Sequence, residues 1–215
     1  MNYEAFKEVI HGRRSVRKFT EQEVSTSDIK EIIDCARYAP SDTNSQTWEF
    51  LVIMNREKIK EIEQMTWDAL HKLAAKATEN GEEKAGKLLT RSFGPYATAF
   101  SEAPVLIVCL ATSYESKFRE KIFDPIAFVP DAVWEEEGIK SSCLAAQNLM
   151  LVRTCEGSWY VSNDRACIVS SKELRQYFQI ETEKQINMVI SLGYPKDKPK
   201  KLPRKEVDEI TTFIF

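Results

Sequence analysis

The spacing of hydrophobic residues along the chain predicts helices that alternate with a few separated strands. Apolar side chains recur every three or four residues, as in amphipathic helices, over residues 3–11, 27–38, 55–80 and 131–155. Continuous apolar runs predict buried strands at 50–53, 104–111 and 186–195, and a shorter strand is predicted at 158–161. Helices mixed with separated strands in this order indicate an α+β fold.

Polar and helix-breaking residues mark where several of these elements begin and end. Ser25, with Asp28 three positions later, resembles a capping box, and Gly12, Pro40 and Gly81 are expected to end helices. The remaining segments are a helical stretch at 82–102 interrupted near Gly94 and Pro95, an irregular connection or lid at 113–130, a capped helix at 171–178 and a β-prone end at 210–215.

The composition indicates a single globular domain over residues 1–215. Apolar residues make up 43% and charged residues 29%, and no repeat, linker or break in composition divides the chain. The net charge of -3 argues against a dedicated nucleic-acid binder. The longest apolar run, at 104–111, is too short to cross a bilayer, and Glu4, Lys7 and Glu8 would interrupt a signal sequence. We therefore expect a soluble, cytoplasmic protein without a membrane partner.

Cysteine and histidine usage offers little for catalysis by side chains. The 5 cysteines lack a CxxC pair, so neither a disulfide framework nor a metal site is expected, and reduced thiols suit a cytoplasm. His11 and His71 are the only histidines, and the charged helix that contains His71 indicates a plain surface role for it. Motifs of hydrolases, zinc proteases, P-loops and dinucleotide sites are absent. A Cys–His nucleophile pair stays open, with buried structural thiols as the favoured interpretation.

The segment HGRRSVRKF, residues 11–19, concentrates positive charge directly behind the first predicted helix. Arg13, Arg14, Arg17 and Lys18 supply charge-assisted donors, and Ser15 adds a hydroxyl group. Such a set predicts a local anion site, whereas the alternative is a solvated basic turn.

A second polar segment, APSDTNSQTW at residues 39–48, runs directly into a predicted buried strand. Binding and catalytic residues are often carried by loops that a rigid strand positions. This loop is therefore a second candidate for the functional site.

Several segments together resemble the nitroreductase family of FMN-dependent oxidoreductases. The specific blocks are RRSVRKF at 13–19 and APSDTNSQTWEFLVI at 39–53, which one helix separates. SEAPVLIVCLA, a long Ala-rich helix and SLGYPKDKPKKLPRK follow in the family's order, so the resemblance covers nearly the whole chain. It implies a nitroreductase-like α+β fold with a central, mostly antiparallel sheet flanked by helices. It also implies an intertwined homodimer that exchanges C-terminal arms.

The resemblance implies that the basic segment binds FMN at both of its ends. Arg13 and Arg14 would hold the phosphate or ribityl end, and Ser15 would contact the phosphate or pyrimidine region. Arg17 would point at the N1 and C2 carbonyl edge, where a cation favours the reduced, negatively charged ring. Three tail residues match the family's second set of phosphate ligands: Lys201, Arg204 and Lys205.

The family pattern further implies that each flavin site is shared between two subunits. Residues of the 39–48 loop would reach the flavin of the neighbouring subunit: Pro40, Ser41, Asp42, Asn44 and Gln46. A tail without a core of its own could gain one by wrapping around the partner. Considered alone, the loop would be a simple turn before the strand, and the tail a frayed terminus.

The sequence departs from the family pattern at two places. Thr47 stands where the family usually has proline, which should loosen the loop without removing its polar contacts. The glycine-rich turn that lays backbone N–H groups against flavin N5 reads CEGSWYVSND here, with Gly157 retained. Gly157, Ser158 and Trp159 would line that edge. Trp159 and Tyr160 would either stack near the ring or fill the core.

These features predict an FMN-dependent enzyme that transfers hydride from NADH or NADPH to a nitroaromatic, quinone or flavin acceptor in ping-pong order. The flavin would carry the hydride, so no catalytic side-chain acid or base is expected. One alternative is a specialised member that acts by reductive dehalogenation, enoate reduction or flavin fragmentation, with specialisation at 118–134 and 157–164. Another is a non-catalytic module that binds nucleic acid or an acidic protein through residues 13–18, against which the net charge counts.

Overall fold

A sheet of 4 antiparallel strands forms the centre of the fold. The computed structural model describes residues 2–152, 160–163, 171–199 and 202–215, with only the backbone described at 160–163. Its strands are β1 (Trp48–Ile53), β2 (Val105–Ala111), β3 (Tyr160–Asn163) and β4 (Gln185–Gly193). Their order is β1-β2-β4-β3, and each neighbouring pair is antiparallel. The predicted strands and the antiparallel sheet are confirmed, apart from 158–159, which lie outside the described residues.

Most helices lie where the hydrophobic spacing predicts them. They are α1 (Tyr3–Gly12), α2 (Thr26–Ala36), α3 (Arg56–Glu79), α4 (Glu83–Leu88), α5 (Gly94–Ala97), α6 (Asp124–Ile126), α7 (Asp131–Val152) and α8 (Ser171–Tyr177). The Ser25 hydroxyl accepts the Asp28 N–H at 3.1 Å, which confirms the predicted cap of α2. Gly81 follows α3 with φ 83°, a backbone conformation that favours glycine. The last predicted turn of α7, residues 153–155, lies outside the described residues.

Alternate side chains of β2 enter two different hydrophobic cores, one on each face of the sheet. Leu106 and Val108 pack in the core that α3 covers, whereas Val105 and Ile107 pack beneath α2 and α7. Every residue of β2 is buried. This burial on both faces explains the continuous apolar run in the sequence.

Small residues let α7 pack closely against the sheet, as its composition predicts. A Cβ atom added to Gly138 would lie 1.8 Å from the Thr112 carbonyl oxygen, a distance that only glycine avoids. The Ser142 hydroxyl donates to the Leu110 carbonyl at 3.1 Å. The Thr47 hydroxyl donates to the Gly138 carbonyl at 3.4 Å. Helix α7 therefore abuts the ends of β1 and β2 beside the 39–48 loop.

The predicted irregular connection at 113–130 is more ordered than the sequence indicates. A π-helical turn at Arg119–Phe123 leads into α6. The Arg119 guanidinium donates to the Ser113 hydroxyl at 3.2 Å and to the Tyr114 carbonyl at 2.9 Å. These bonds tie the turn to the end of β2.

The β-prone end at 210–215 forms no strand in the single chain, as expected of a tail with little to pack on by itself. A 3₁₀ turn at Val207–Glu209 precedes it. Ile210 and Phe213 are each 68% exposed. A strand needs a neighbouring edge for its backbone hydrogen bonds, and none of the described strands pairs with these residues.

Candidate functional site

The basic segment at 13–18 is anchored between α1 and the end of β4. Val16 and Phe19 are buried in the core that α3 covers. The Lys196 N–H donates to the Lys18 carbonyl at 2.9 Å, which pairs this segment with the start of the basic tail. Because Val16 and Phe19 point inward, Lys18 is exposed and Arg17 is only partly covered.

The structure brings Arg13 into the electric field of Arg204 from the tail. Burial lowers the pKa of Arg13, and the positive charges of Arg204 and Arg14 lower this pKa further. The Arg14 side chain donates to the carbonyls of His11 and Arg13, each at 2.6 Å. In the described part of the chain, no carboxylate forms an ion pair with any of these three arginines. Their uncompensated charge favours a bound anion.

Arg17 forms one hydrogen bond through a terminal nitrogen, and a second of its nitrogens is buried without a hydrogen-bond acceptor. Its Nη2 donates to the Tyr96 hydroxyl at 3.0 Å, and its guanidinium carbon lies 4.7 Å from the centroid of the Tyr96 ring. Its Nε is buried, and no acceptor for it exists among the described residues. A buried N–H of a charged group without an acceptor is costly, so its geometry suits a ligand acceptor.

Of the other predicted site residues, some are exposed in the single chain and some lie outside the described residues. Ser15, Arg204 and Lys205 are exposed. Four predicted site residues lie outside the described residues: Gly157, Ser158, Trp159 and Lys201. The contact expected at flavin N5 therefore stays a prediction.

The loop after α2 has an unusual backbone and presents polar side chains to solvent. Thr43, Asn44 and Gln46 have φ of 45°, 58° and 51°, a region that residues other than glycine seldom adopt. The Ser41 hydroxyl accepts the Gln46 N–H at 3.0 Å and helps to close the turn. The exposed members of the predicted set are Pro40, Asp42, Asn44 and Gln46, and Ser41 is half-buried.

An aromatic cluster of Tyr114 and Trp134 packs against this loop at Thr43. The hydroxyl groups of Thr43 and Tyr114 lie 3.1 Å apart. Tyr114 stacks on Trp134 with ring centroids 5.8 Å apart, and the Arg119 guanidinium lies 5.4 Å from the Trp134 ring. The segment at 113–134 thus holds the strained loop in its conformation, a role that the sequence did not reveal.

The loop and the basic segment do not meet within one chain. No hydrogen bond or ion pair between described residues joins 39–48 to 13–18. The basic segment and the tail come together around Arg13 and Arg204, whereas Asp42, Asn44 and Gln46 of the loop are exposed to solvent.

Tyr96 is the residue at this site that sequence reasoning missed. It lies in α5, which follows a π-helical turn at Leu89–Phe93. The only signal in the sequence was the helix interruption at Gly94 and Pro95, which marks a change in the path of the chain but identifies no ligand.

The structure describes Cys35, Cys109 and Cys143, while Cys155 and Cys167 lie outside the described residues. Burial raises the pKa of the Cys109 thiol to about 12, so it is protonated at neutral pH. Cys35 is exposed, contrary to the expectation that the thiols are buried. Within the described ranges, no hydrogen bond joins a cysteine to a histidine, no group of His, Cys, Asp and Glu is arranged to hold a metal, and no helix is long and apolar enough to span a membrane.

Comparison with known proteins decides the family. The sequence model of the nitroreductase family matches residues 10–194, a range that contains both the basic segment and the loop. The chain belongs to the nitroreductase family. The basic tail with Arg204 lies beyond the matched range, so its place beside Arg13 is known from the structure.

Individual members of the family and solved structures agree with this assignment. A protein of Methanothermobacter thermautotrophicus, named provisionally as an NADH dehydrogenase/NAD(P)H nitroreductase, is 30% identical over 193 residues, or 89% of this chain and 78% of that protein. A BluB-like flavoprotein from Clostridium difficile 630 superposes with a TM-score of 0.81 at 26% identity, covering 97% of this chain and 98% of that one. A provisionally named nitroreductase from Exiguobacterium sibiricum, solved in complex with FMN, gives a TM-score of 0.69 at 20% identity over 97% of both chains. The nitroreductase-like α+β fold is thereby confirmed.

Proposed function

We propose that this nitroreductase family member binds FMN and transfers hydride from NADH or NADPH to an electron-poor acceptor. The observation that carries the proposal is the set Arg13, Arg14, Arg17 and Arg204, for which the described residues supply no carboxylate partner. FMN would supply a ring that accepts hydride and a dianionic phosphate. The flavoprotein and the FMN complex among its structural relatives support this choice of cofactor.

The residues of the basic cluster fit the phosphate end of FMN. Arg13 and Arg204 repel one another in the absence of an anion, and a phosphate between them would replace repulsion with charge-assisted hydrogen bonds. Arg14 and the exposed Ser15 hydroxyl would add donors. Lys201 and Lys205 would complete the set from the tail, as the family resemblance implies.

Arg17 fits the ring end of the cofactor. Its buried Nε lacks an acceptor, which the N1 and C2 carbonyl edge of a flavin would provide. Because Arg17 is partly shielded from solvent, its charge acts more strongly than a fully exposed one. Arg17 would therefore stabilise the negative charge that the ring gains on reduction, and no side-chain acid or base is required.

We further propose that the chain functions as a homodimer with C-terminal arm exchange, each chain being one cytoplasmic domain. The loop residues Asp42, Asn44 and Gln46 are exposed in the single chain and would complete the flavin site of the partner. The end of the tail is apolar and exposed, with Ile214 at 95% exposure. Exposed apolar segments of this kind are typical of surfaces that a partner covers.

A visible absorption spectrum tests the cofactor assignment. After incubation with FMN and desalting, the purified protein should retain a yellow flavin chromophore. Arg17→Ala should weaken FMN binding about 10- to 100-fold, the usual worth of hydrogen bonds to a charged group. Lys72→Ala removes the same charge from an exposed position on α3 and should leave binding unchanged. Wild-type protein that stays colourless would contradict the proposal.

The acceptor is assigned by a second experiment on the FMN-loaded protein. Anaerobic reduction with NADH and with NADPH identifies the donor, and reoxidation by a panel of nitroaromatics, quinones and flavins identifies the acceptor. Rapid reoxidation by one of these classes is the expected result. Reoxidation only by halogenated aromatics or enoates, or loss of the flavin itself, would assign the protein to a specialised branch of the family.

A further inference from the structure

Tyr96 holds the Arg17 side chain through two separable contacts. The hydroxyl accepts a hydrogen bond from Nη2 at 3.0 Å, and the ring lies 4.7 Å from the guanidinium carbon. Among the described residues, no other side chain forms a hydrogen bond or an ion pair with Arg17. The contacts with Tyr96 therefore favour one rotamer of the Arg17 side chain.

The position of Tyr96 is itself fixed by close packing of α5 against α3. A Cβ atom on Gly94 would lie 2.4 Å from the Trp67 ring, so glycine is needed for this approach. The Thr98 hydroxyl donates to the Gly94 carbonyl at 3.0 Å, and Ala97 is fully buried. The backbone of Tyr96 is thus held firmly, while the residue as a whole stays 48% exposed. A side chain this exposed contributes little to the core, and its ring contacts are with Phe93, at 6.4 Å between centroids, and with Arg17.

The contacts made by Tyr96 leave Nε and Nη1 of the guanidinium without an acceptor among the described residues. One N–H of Nη2 donates to the Tyr96 hydroxyl, and the ring covers one side of the group. Nε is buried and has no acceptor in the described part of the chain. A planar guanidinium held in this manner presents its remaining donors in one fixed direction.

We propose that Tyr96 is a positioning residue that aligns Arg17 with the N1 and C2 carbonyl edge of the flavin and so raises the cofactor's reduction potential. The inference rests on the proposed function, since it requires FMN at this site. Without Tyr96, Arg17 samples other rotamers, and its charge acts less on the ring. The reduced ring loses more stabilisation than the oxidised ring, because it carries more negative charge. The potential therefore falls, and affinity for oxidised FMN weakens.

Two substitutions separate the hydroxyl from the ring. Tyr96→Phe removes the hydrogen bond and keeps the cation–π contact, and it should raise the Kd for FMN about 3- to 10-fold. Tyr96→Leu removes both contacts and should raise it further. Both variants should also shift the midpoint potential of bound FMN to more negative values. FMN fluorescence quenching measures the Kd, and anaerobic redox titration against reference dyes measures the potential.

Tyr177 provides a matched control elsewhere on the surface. Lys58 Nζ donates to its hydroxyl at 3.2 Å and lies 5.0 Å from its ring centroid, so the same two kinds of contact are present. Tyr177→Phe and Tyr177→Leu should leave the Kd and the potential unchanged. In an Arg17→Ala background, Tyr96→Phe should likewise have no further effect, because Tyr96 acts through Arg17.

The outcomes distinguish this inference from the proposed function. If the wild type fails to bind FMN, the proposed function itself fails. If the wild type binds FMN but both Tyr96 variants keep its Kd and potential, Tyr96 is not a positioning residue while the proposed function stands. If Tyr96→Phe changes the Kd and the potential equally in the wild-type and the Arg17→Ala backgrounds, the inference is also overturned. Tyr96→Phe preserves the ring, so the test remains decisive even if Tyr96→Leu fails to fold.

Discussion

At the scale of single residues, Arg13 and Arg204 come from opposite ends of the chain, yet each lies in the electric field of the other. Burial and the charge of Arg204 both lower the pKa of Arg13. The family resemblance implies that Arg13 holds the phosphate or ribityl end of FMN and that Arg204 belongs to the second set of phosphate ligands. That they meet in space depends on the path of the tail, which sequence spacing does not encode. The structure supplies this proximity, while the bound phosphate stays a prediction.

Replacement of Arg204 should discriminate between flavins with and without a phosphate. Arg204→Ala should raise the Kd for FMN about 10- to 100-fold, because a hydrogen bond to a charged group is lost. The Kd for riboflavin, which has no phosphate, should change little. Fluorescence titration with both ligands measures the difference, with Lys72→Ala as the charge-matched control. An equal loss for FMN and riboflavin would exclude Arg204 as a phosphate ligand.

At the scale of elements, the 39–48 loop is strained and depends on its neighbours. Positive φ at Thr43, Asn44 and Gln46 costs free energy, so contacts with other segments must stabilise this backbone. The hydrogen bond between Thr43 and Tyr114 and the stack of Tyr114 on Trp134 hold the loop in this shape. The segment at 113–130, for which the sequence predicts a connection or lid, supports the loop in the single chain together with Trp134 at the start of α7.

Removal of the Tyr114 hydroxyl should loosen this loop. Tyr114→Phe should lower the free energy of unfolding by about 0.5–1.5 kcal/mol, the usual net worth of one hydrogen bond. If the loop completes a flavin site, FMN binding should weaken as well. Urea unfolding at fixed protein concentration and FMN titration measure the two effects.

A control for this substitution is available in α1. Tyr3 is 73% exposed, and its hydroxyl has no hydrogen-bond partner among the described residues. Tyr3→Phe should therefore change neither quantity. Lower stability of Tyr114→Phe with unchanged FMN affinity would show that the loop lies outside the flavin site.

At the scale of the whole molecule, the single chain leaves its C-terminal end without a core. Phe213 and Ile214 are 68% and 95% exposed. If this segment packs onto a second copy, its exposed apolar side chains are removed from water, which is favourable in free energy. The proposed homodimer therefore explains both the β-prone sequence of 210–215 and the absence of a strand there in one chain.

A charge introduced into the tail should weaken the dimer. Ile214→Glu places a carboxylate where apolar surface would be buried and should shift the population toward monomer. Sedimentation velocity over a range of protein concentrations measures this shift. Leu73→Glu places the same charge on an exposed leucine of α3 and should leave the assembly unchanged. Wild-type protein that sediments as a monomer at every concentration would contradict the proposed homodimer.

The sequence by itself determined the elements and the family. Continuous hydrophobicity predicted β2, helical spacing and caps predicted α2 and α3, and two polar blocks identified the family, because each of these signals is local. Only the tertiary structure decided which distant residues meet: Arg13 with Arg204, Arg17 with Tyr96, and Thr43 with Tyr114. These pairs join segments whose relative placement depends on how loops pack over the two cores. No periodicity or spacing in the chain specifies such contacts, because they arise from packing between elements.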